Sequence, residues 1–184
     1  MDFTKLEKNL SDVIYEAQIK LGCDSSTMSM NYPLDSLNRL LGTNVGIDEM
    51  KKLLRDFADY AEERLGRIEF STPYSKLKYS SEIVRIDVPA KGADYIHEHA
   101  DKSPFLPELI ALIYKKGATI DDVISLFRKY SDKVHVEESK TNEFDYLVYF
   151  EDGRPDSYYY CITDEIISLT YHRFTKEDFY AFDF

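Results

Sequence analysis

The sequence predicts an α+β fold in which helices come first and an antiparallel sheet comes last. Apolar residues recur with helical spacing through most of residues 4–65 and again through 104–131. The spacing changes to strict alternation at 68–70 and 84–88, and the last part of the chain has the pattern strand, turn, strand. Three helices and a β-hairpin indicate a winged-helix-like front half. A helix pair and an antiparallel sheet follow it.

The first helix is expected over residues 4–21, where apolar residues lie along one side. Thr4 followed by Glu7 has the pattern of a capping box, and Gly22 can supply the left-handed residue that ends a helix. The next segment, Cys23 to Pro33, is polar and is interpreted as a loop.

The remaining elements follow from the same two spacings, with glycine, proline and capping residues at their ends. Thr119 with Asp122, and Thr175 with Asp178, have the spacing that caps a helix. The segment PAKGADYIHEH is either a short helix or a turn-rich link, and EDGRPD is a turn. In chain order we expect helices at 34–41 and 47–65, strands at 68–70 and 84–88, helices at 104–116 and 120–130, strands at 133–138, 144–150, 157–162 and 166–172, and a short last helix.

The domain organisation is expected to be two units. Residues 1–102 would form the winged-helix-like unit with its hairpin, and residues 103–184 would form the second α+β unit. No linker rich in glycine, serine or proline separates them, so a single fused domain is equally compatible with the sequence.

Composition excludes several classes of protein. No apolar stretch reaches the length of about 20 residues that a membrane span needs, and the first residues lack the pattern of a signal peptide. The sequence contains only two cysteines, Cys23 and Cys161, and they lie far apart, so it offers neither a CxxC zinc motif nor a disulfide framework. We therefore expect a cytoplasmic protein without a cofactor.

The segment from Phe144 to Phe184 is rich in tyrosine and strongly acidic, within a chain whose net charge is -11. An acidic aromatic sheet is a poor surface for nucleic acid and a suitable one for a protein partner or a small polar ligand. The alternation separates Tyr146, Tyr158 and Tyr160 from Tyr149 and Tyr159 on the two faces. The first three are candidate partner contacts.

Nucleic-acid binding is disfavoured. In a winged helix the third helix would enter the major groove, but residues 47–65 carry six acidic and four basic side chains. The hairpin is more basic, so Lys76 and Lys78 are the candidate nucleic-acid contacts if any exist.

Three short segments contain side chains that could bind a metal ion or a ligand or act in catalysis. His97-Glu98-His99 would bring two imidazoles to one face only in a strand, and on a helix they diverge, so we expect no metal site there. His172 and Arg173 could form a polar pocket with Glu143, Asp145 and Asp164, but a structural ion pair of Arg173 is the favoured interpretation.

Cys161 lies in the third segment. A nucleophilic cysteine needs a lowered pKa, and His172 could lie across the adjacent strand. A buried cysteine that acts as a small apolar residue is the favoured interpretation. We therefore assign no catalytic residue, and no GxGxxG, Walker or GxSxG motif is present.

The strings NEFDYLVYF, YYYC and YHRFTKEDF, together with the helix pair FLPELIALIYKKGATIDDVISLF, resemble an uncharacterised bacterial family of unknown function. The resemblance covers most of the chain. It implies a stand-alone cytoplasmic protein and assigns no reaction, cofactor or catalytic residue.

Three hypotheses follow. The leading one is a non-enzymatic bacterial protein that acts through protein contacts, with Tyr146, Tyr158, Tyr160, His172 and Arg173 as candidate contacts, and a homodimer is compatible with it. The first alternative is a small-molecule-binding protein or enzyme with a pocket near His172 and Arg173. The second alternative is a winged-helix DNA-binding regulator.

Overall fold

The computed structural model describes residues 1–22, 25–72, 82–165 and 167–181. The chain forms two compact units, Met1–Asp101 and Lys102–Phe184. Both contain helices and antiparallel strands, which confirms the α+β fold class. None of the helices in these residues has both the length and the apolar character that crossing a membrane requires.

The described residues of the first unit contain four helices, and the sequence predicted three of them at their observed bounds. The fourth helix lies in the segment PAKGADYIHEH, for which the sequence is compatible with a short helix or a turn-rich link. Gly22 and Gly42 adopt the left-handed conformation that ends the first two helices. The helices are α1 (Thr4–Leu21), α2 (Leu34–Leu41), α3 (Ile47–Leu65) and α4 (Ala90–His99).

The predicted capping box at the start of α1 is wrong. Phe3 occupies the capping position, and no side chain caps the helix from there. The backbone amide of Thr4 instead donates a hydrogen bond of 2.9 Å to Oδ1 of Asp2. Hydrogen bonds from the side chain and from the backbone amide of Thr4 lower the pKa of the Asp2 carboxyl.

Within the described residues, the sheet of the first unit has three strands, β1 (Met28–Pro33), β2 (Glu69–Ser71) and β3 (Ile83–Val88). Strand β3 lies in the middle and pairs antiparallel with both neighbours. The expected hairpin strands are therefore confirmed, but the interpretation of Cys23 to Pro33 as a loop is wrong over the last six of those residues. Met28 and Tyr32 alternate with polar residues and are buried against the helices.

Strand β1 completes the core of the first unit. The buried sides of α1, α2, α3 and α4 pack on one face of the sheet. Fully buried members of this core include Leu10, Leu37, Leu54, Phe57 and Ile86. The elements occur in the order α1, β1, α2, α3, β2, β3, α4.

The second unit begins with α5 (Phe105–Ile113) and α6 (Ile120–Tyr130). Helix α5 ends three residues earlier than predicted, and turns lead from it to α6. The predicted capping box of α6 is confirmed. The amide of Asp122 donates to Oγ1 of Thr119 at 3.3 Å, and the amide of Thr119 donates to Oδ2 of Asp122 at 2.9 Å.

The sheet of the second unit has its four strands in chain order. They are β4 (Val134–Glu138), β5 (Tyr146–Phe150), β6 (Tyr159–Glu165) and β7 (Ser168–Phe174), and α7 (Lys176–Ala181) follows. Strands β5, β6 and β7 each start two residues later than predicted. Asp156 extends the preceding turn because its Oδ1 accepts a hydrogen bond of 2.7 Å from the amide of Tyr158.

Candidate functional site

Strand alternation divides the candidate residues between the two faces of the second sheet. One face, called here the helix face, contains Tyr160 and packs on Phe105 of α5 and Phe127 of α6. Arg173 lies opposite Tyr160 in the register and shares this face. The other face, called the aromatic face, contains Tyr159 and Cys161.

Two of the three candidate contact tyrosines are buried. Tyr160 is completely buried, and its ring makes edge contacts with Phe105 and Phe127 at centroid distances of 6.0 and 5.4 Å. Tyr158, just before β6, is 8% exposed. Tyr146 is half-buried, so it keeps some surface for a partner. The division of the tyrosines between two faces was predicted correctly, but helices α5 and α6 cover the face that contains the three candidate contacts.

Arg173 forms an ion pair inside the helix face, in agreement with the favoured interpretation. Its Nη1 lies 3.6 Å from Oδ2 of Asp156, and the two side chains are 5% and 14% exposed. The guanidinium lies over the ring of Tyr158 at 4.3 Å from the centroid. The carboxylate is Asp156, in the turn before β6, and not one of the three acidic residues that the sequence suggested.

The hydroxyl of Tyr160 completes this group, because it donates a hydrogen bond of 2.9 Å to the same Oδ2 of Asp156. Burial and the neighbouring carboxylate raise the pKa of Tyr160 well above its usual value, and Arg173 acts in the opposite direction. The group joins the turn to the sheet. Asp156 contacts both Arg173 and Tyr160 within the unit, so the arrangement is that of a structural ion pair.

His172 points away from Arg173. The two are successive residues of β7, so their side chains lie on opposite faces of the sheet. His172 is exposed on the aromatic face. The hypothesis of a single pocket lined by both side chains is therefore wrong.

Cys161 lies directly opposite His172 in the β6–β7 register, as the sequence analysis suggested. The thiol is nevertheless 2% exposed, and burial raises its pKa to about 12. A thiol with such a pKa stays protonated near neutral pH and is a poor nucleophile. The register alone therefore does not make this pair a catalytic one.

A column of stacked rings crosses the aromatic face from its edge. His135 of β4 stacks on Tyr149 at a centroid distance of 4.6 Å, and Tyr149 stacks on Tyr159 at 4.0 Å. Phe179 and Tyr180 of α7 pack against Tyr159 at its far end. Burial is the main reason that the pKa values of Tyr149 and Tyr159 are raised.

The histidines of α4 are in a helix, the setting in which two neighbouring imidazoles diverge. Nδ1 of His99 lies 2.8 Å from the carbonyl oxygen of Tyr95, whose ring stacks on the imidazole at 4.1 Å. His97 contacts the ring of Tyr15. Across the described ranges, no group of three or more His, Cys, Asp or Glu side chains could hold a metal ion.

The solvent side of α3 is the most strongly charged helix surface of the first unit. Its exposed charged side chains are acidic at six positions and basic at two, Lys52 and Arg55. The other two basic residues are partly buried: Lys51 lies 3.8 Å from Asp48, and Arg64 forms a two-point ion pair with Glu7 at 2.7 and 2.9 Å. The six acidic residues are Asp48, Glu49, Asp56, Asp59, Glu62 and Glu63.

Comparison with known proteins gives a family. The family described as a domain of unknown function, E. rectale gene description (DUF3877), matches residues 3–182 of the chain. The chain belongs to DUF3877. Neither the curated proteins nor the solved structures gave a match. The resemblance to an uncharacterised bacterial family is thereby confirmed.

Two residues important to this DUF3877 chain were missed by the sequence analysis. Asp156 lies in a turn, where an acidic residue usually faces solvent, and its pairing with Arg173 depends on how β7 packs beside β6. His135 falls in a predicted strand, but its ring stack depends on the β4–β5 register, which the local sequence pattern does not show. The candidate contacts Lys76 and Lys78 lie outside the described residues.

Proposed function

We propose that this protein acts through contacts with other proteins in the bacterial cytoplasm and that its first unit is a winged-helix-like docking unit. The order α1, β1, α2, α3, β2, β3 and the sheet order β1-β3-β2 support the winged-helix assignment. In that arrangement α3 is the helix that DNA-binding members insert into the major groove.

The charge of α3 is the observation that carries the protein-docking proposal. The exposed acidic residues lie on one arc of the helix, because the core residues Leu54, Phe57 and Ala61 occupy the opposite side. The arc would lie against phosphates if α3 entered a DNA groove. Electrostatic attraction to phosphate supplies most of the non-specific affinity for nucleic acid. An acidic surface repels phosphate instead.

The same surface suits a protein partner with a basic patch. Complementary charge accelerates encounter and excludes partners of the wrong sign. Tyr60, which is 45% exposed beside the acidic residues, supplies an aromatic side chain of the kind enriched in protein interfaces. Tyr146 and His172 remain proposed contacts of the second unit, on separate faces of its sheet.

Quantitative affinity capture from a bacterial extract tests this proposal. The variant Asp59→Lys reverses a charge at the centre of the acidic arc, and Glu98→Lys on α4 makes the same charge change at an exposed site elsewhere. Proteins captured by the wild type and by Glu98→Lys should be depleted with Asp59→Lys. Equal capture by all three would contradict docking through α3.

The competing function has its own signature. A DNA-binding regulator would bind duplex DNA at low salt, with an affinity that falls as salt is added. We expect no such binding, and we expect Asp59→Lys to increase any residual attraction. Salt-sensitive binding by the wild type would favour the regulator and reject the docking proposal.

A further inference from the structure

We propose that strand β4 pairs with β4 of a second copy of this chain, so that two four-stranded sheets join into one continuous antiparallel sheet. The surface lies in the second unit, so this inference is independent of the role proposed for α3. It rests on the free edge of β4, on its charge pattern and on the ring column that ends there.

Strand β4 is an end strand of the sheet. Two hydrogen bonds show which of its residues direct their backbone N–H and C=O groups toward β5. The carbonyl of Lys133 accepts from the amide of Glu151 at 3.0 Å, and the amide of Ser139 donates to the carbonyl of Asp145 at 2.7 Å. Residues that bond to the neighbouring strand alternate in an antiparallel ladder. The odd-numbered residues of β4 therefore bond to β5.

The even-numbered residues of β4 consequently direct their backbone groups outward. These are Val134, Val136 and Glu138. Within the described part of the chain, no hydrogen bond uses the outward N–H and C=O groups of these residues. Such an edge is a template for another strand.

The side-chain charges favour a second copy and select one register. Antiparallel pairing centred on the middle of the strand places His135 opposite Glu137 of the second copy, and the reverse pair forms by symmetry. A shift in one direction sets Glu137 against Glu137. The opposite shift sets Glu138 against Asp132 and His135 against His135, although it also brings Glu137 opposite Lys133. Only the central register has no like-charged pair.

The ring column adds a second reason for this edge. It runs from Tyr159 through Tyr149 and ends at His135, whose side chain is 34% exposed at the border of the sheet. Pairing in the central register would cover His135 with Glu137 of the second copy, an arrangement that already occurs within one chain at 3.3 Å. Strand pairing alone buries a small area, so a weak, concentration-dependent dimer is expected.

Sedimentation equilibrium of the full chain over a concentration series tests the inference. Val136→Pro removes the outward N–H and leaves every bond from β4 to β5, because the N–H of Val136 does not face β5. It should raise the dimer dissociation constant by roughly tenfold or more, since both copies lose a donor. Val136→Ala keeps the donor and serves as the matched control. Circular dichroism verifies that each variant is folded.

A charge exchange tests the register without proline. E137H alone places histidine opposite histidine and should weaken the dimer, whereas H135E/E137H restores two unlike pairs and should recover it. A wild type that stays monomeric at every concentration would overturn the inference. A dimer unaffected by both Val136→Pro and E137H would also overturn it, because that dimer would use another surface.

Discussion

The hydroxyl of Tyr160 donates a hydrogen bond of 2.9 Å to Oδ2 of Asp156, although Tyr160 is completely buried and Asp156 belongs to a turn. The bond connects the centre of the helix face to the segment between β5 and β6. Arg173 lies 3.6 Å from the same oxygen. The carboxylate therefore needs both partners, because a buried charge without partners is costly.

Removing this hydroxyl should destabilise the second unit. Tyr160→Phe keeps the ring contacts and removes one donor from the carboxylate, so we expect the free energy of unfolding to fall by about 1–3 kcal/mol. Urea unfolding measures the change. Tyr114→Phe is the control, because Tyr114 is 69% exposed, and it should have almost no effect. Equal values for the two variants would contradict the role of the hydrogen bond.

The close approach of α4 to the end of α3 gives a second prediction. A Cβ atom at Gly92 would lie 2.3 Å from the carbonyl oxygen of Leu65 and 2.6 Å from Cγ1 of Val88. Gly92→Ala should therefore destabilise the first unit by about 1–3 kcal/mol, as overpacking of a core does.

Gly46→Ala is the matched control for this substitution. A Cβ at Gly46 meets nothing within 4 Å, and its φ of -76° is open to any residue. We expect a change of less than about 1 kcal/mol there. Thermal unfolding measures the stability of both variants. A Gly92→Ala protein as stable as Gly46→Ala would refute the close packing.

Two threonines with the same sequence signature should respond differently to substitution. Thr119 caps α6, so Thr119→Ala should cost about 1 kcal/mol of stability. Thr4 lies inside α1 and caps nothing, so Thr4→Ala should be close to neutral. Chemical denaturation of the two variants compares them directly. A cost at Thr4 that matches the cost at Thr119 would contradict the observed start of α1.

The thiol of Cys161 should be unreactive in the folded protein. Burial raises its pKa to about 12, so a Cys23→Ser variant should react slowly with a disulfide reagent at mildly alkaline pH and rapidly in denaturant. The absorbance of the thiol that the reagent releases measures the rate of the reaction. Fast reaction of the folded variant would indicate a thiolate and would return the catalytic hypothesis for Cys161 and His172 to consideration.

Local patterns predicted the fold well where a local cause decides the structure. The glycines that end α1 and α2 and the capping box of α6 act within one turn of helix, so the sequence contains all the necessary information. The same reasoning failed at Thr4, because Asp2 bonds the backbone amide there. A capping pattern at Thr4 does not exclude a hydrogen bond from another side chain, and Asp2 supplies it here.

Long-range pairing explains the failures. Strand β1 looked like a loop because its residues become strand-like only when paired with β3, more than 50 residues later in the chain. The candidate site failed for a related reason. His172 and Arg173 are adjacent in sequence but lie on opposite faces, and which face α5 and α6 would cover could not be read from alternation alone.

Docking through α3 requires that its acidic arc bind a basic surface of a protein partner. Hydrogen–deuterium exchange of the wild type, alone and in complex with its captured partner, measures whether this surface becomes protected. We predict slower exchange over residues 48–63 in the complex, and loss of that protection with Asp59→Lys. Unchanged exchange over 48–63, with protection confined to other segments, would contradict the claim.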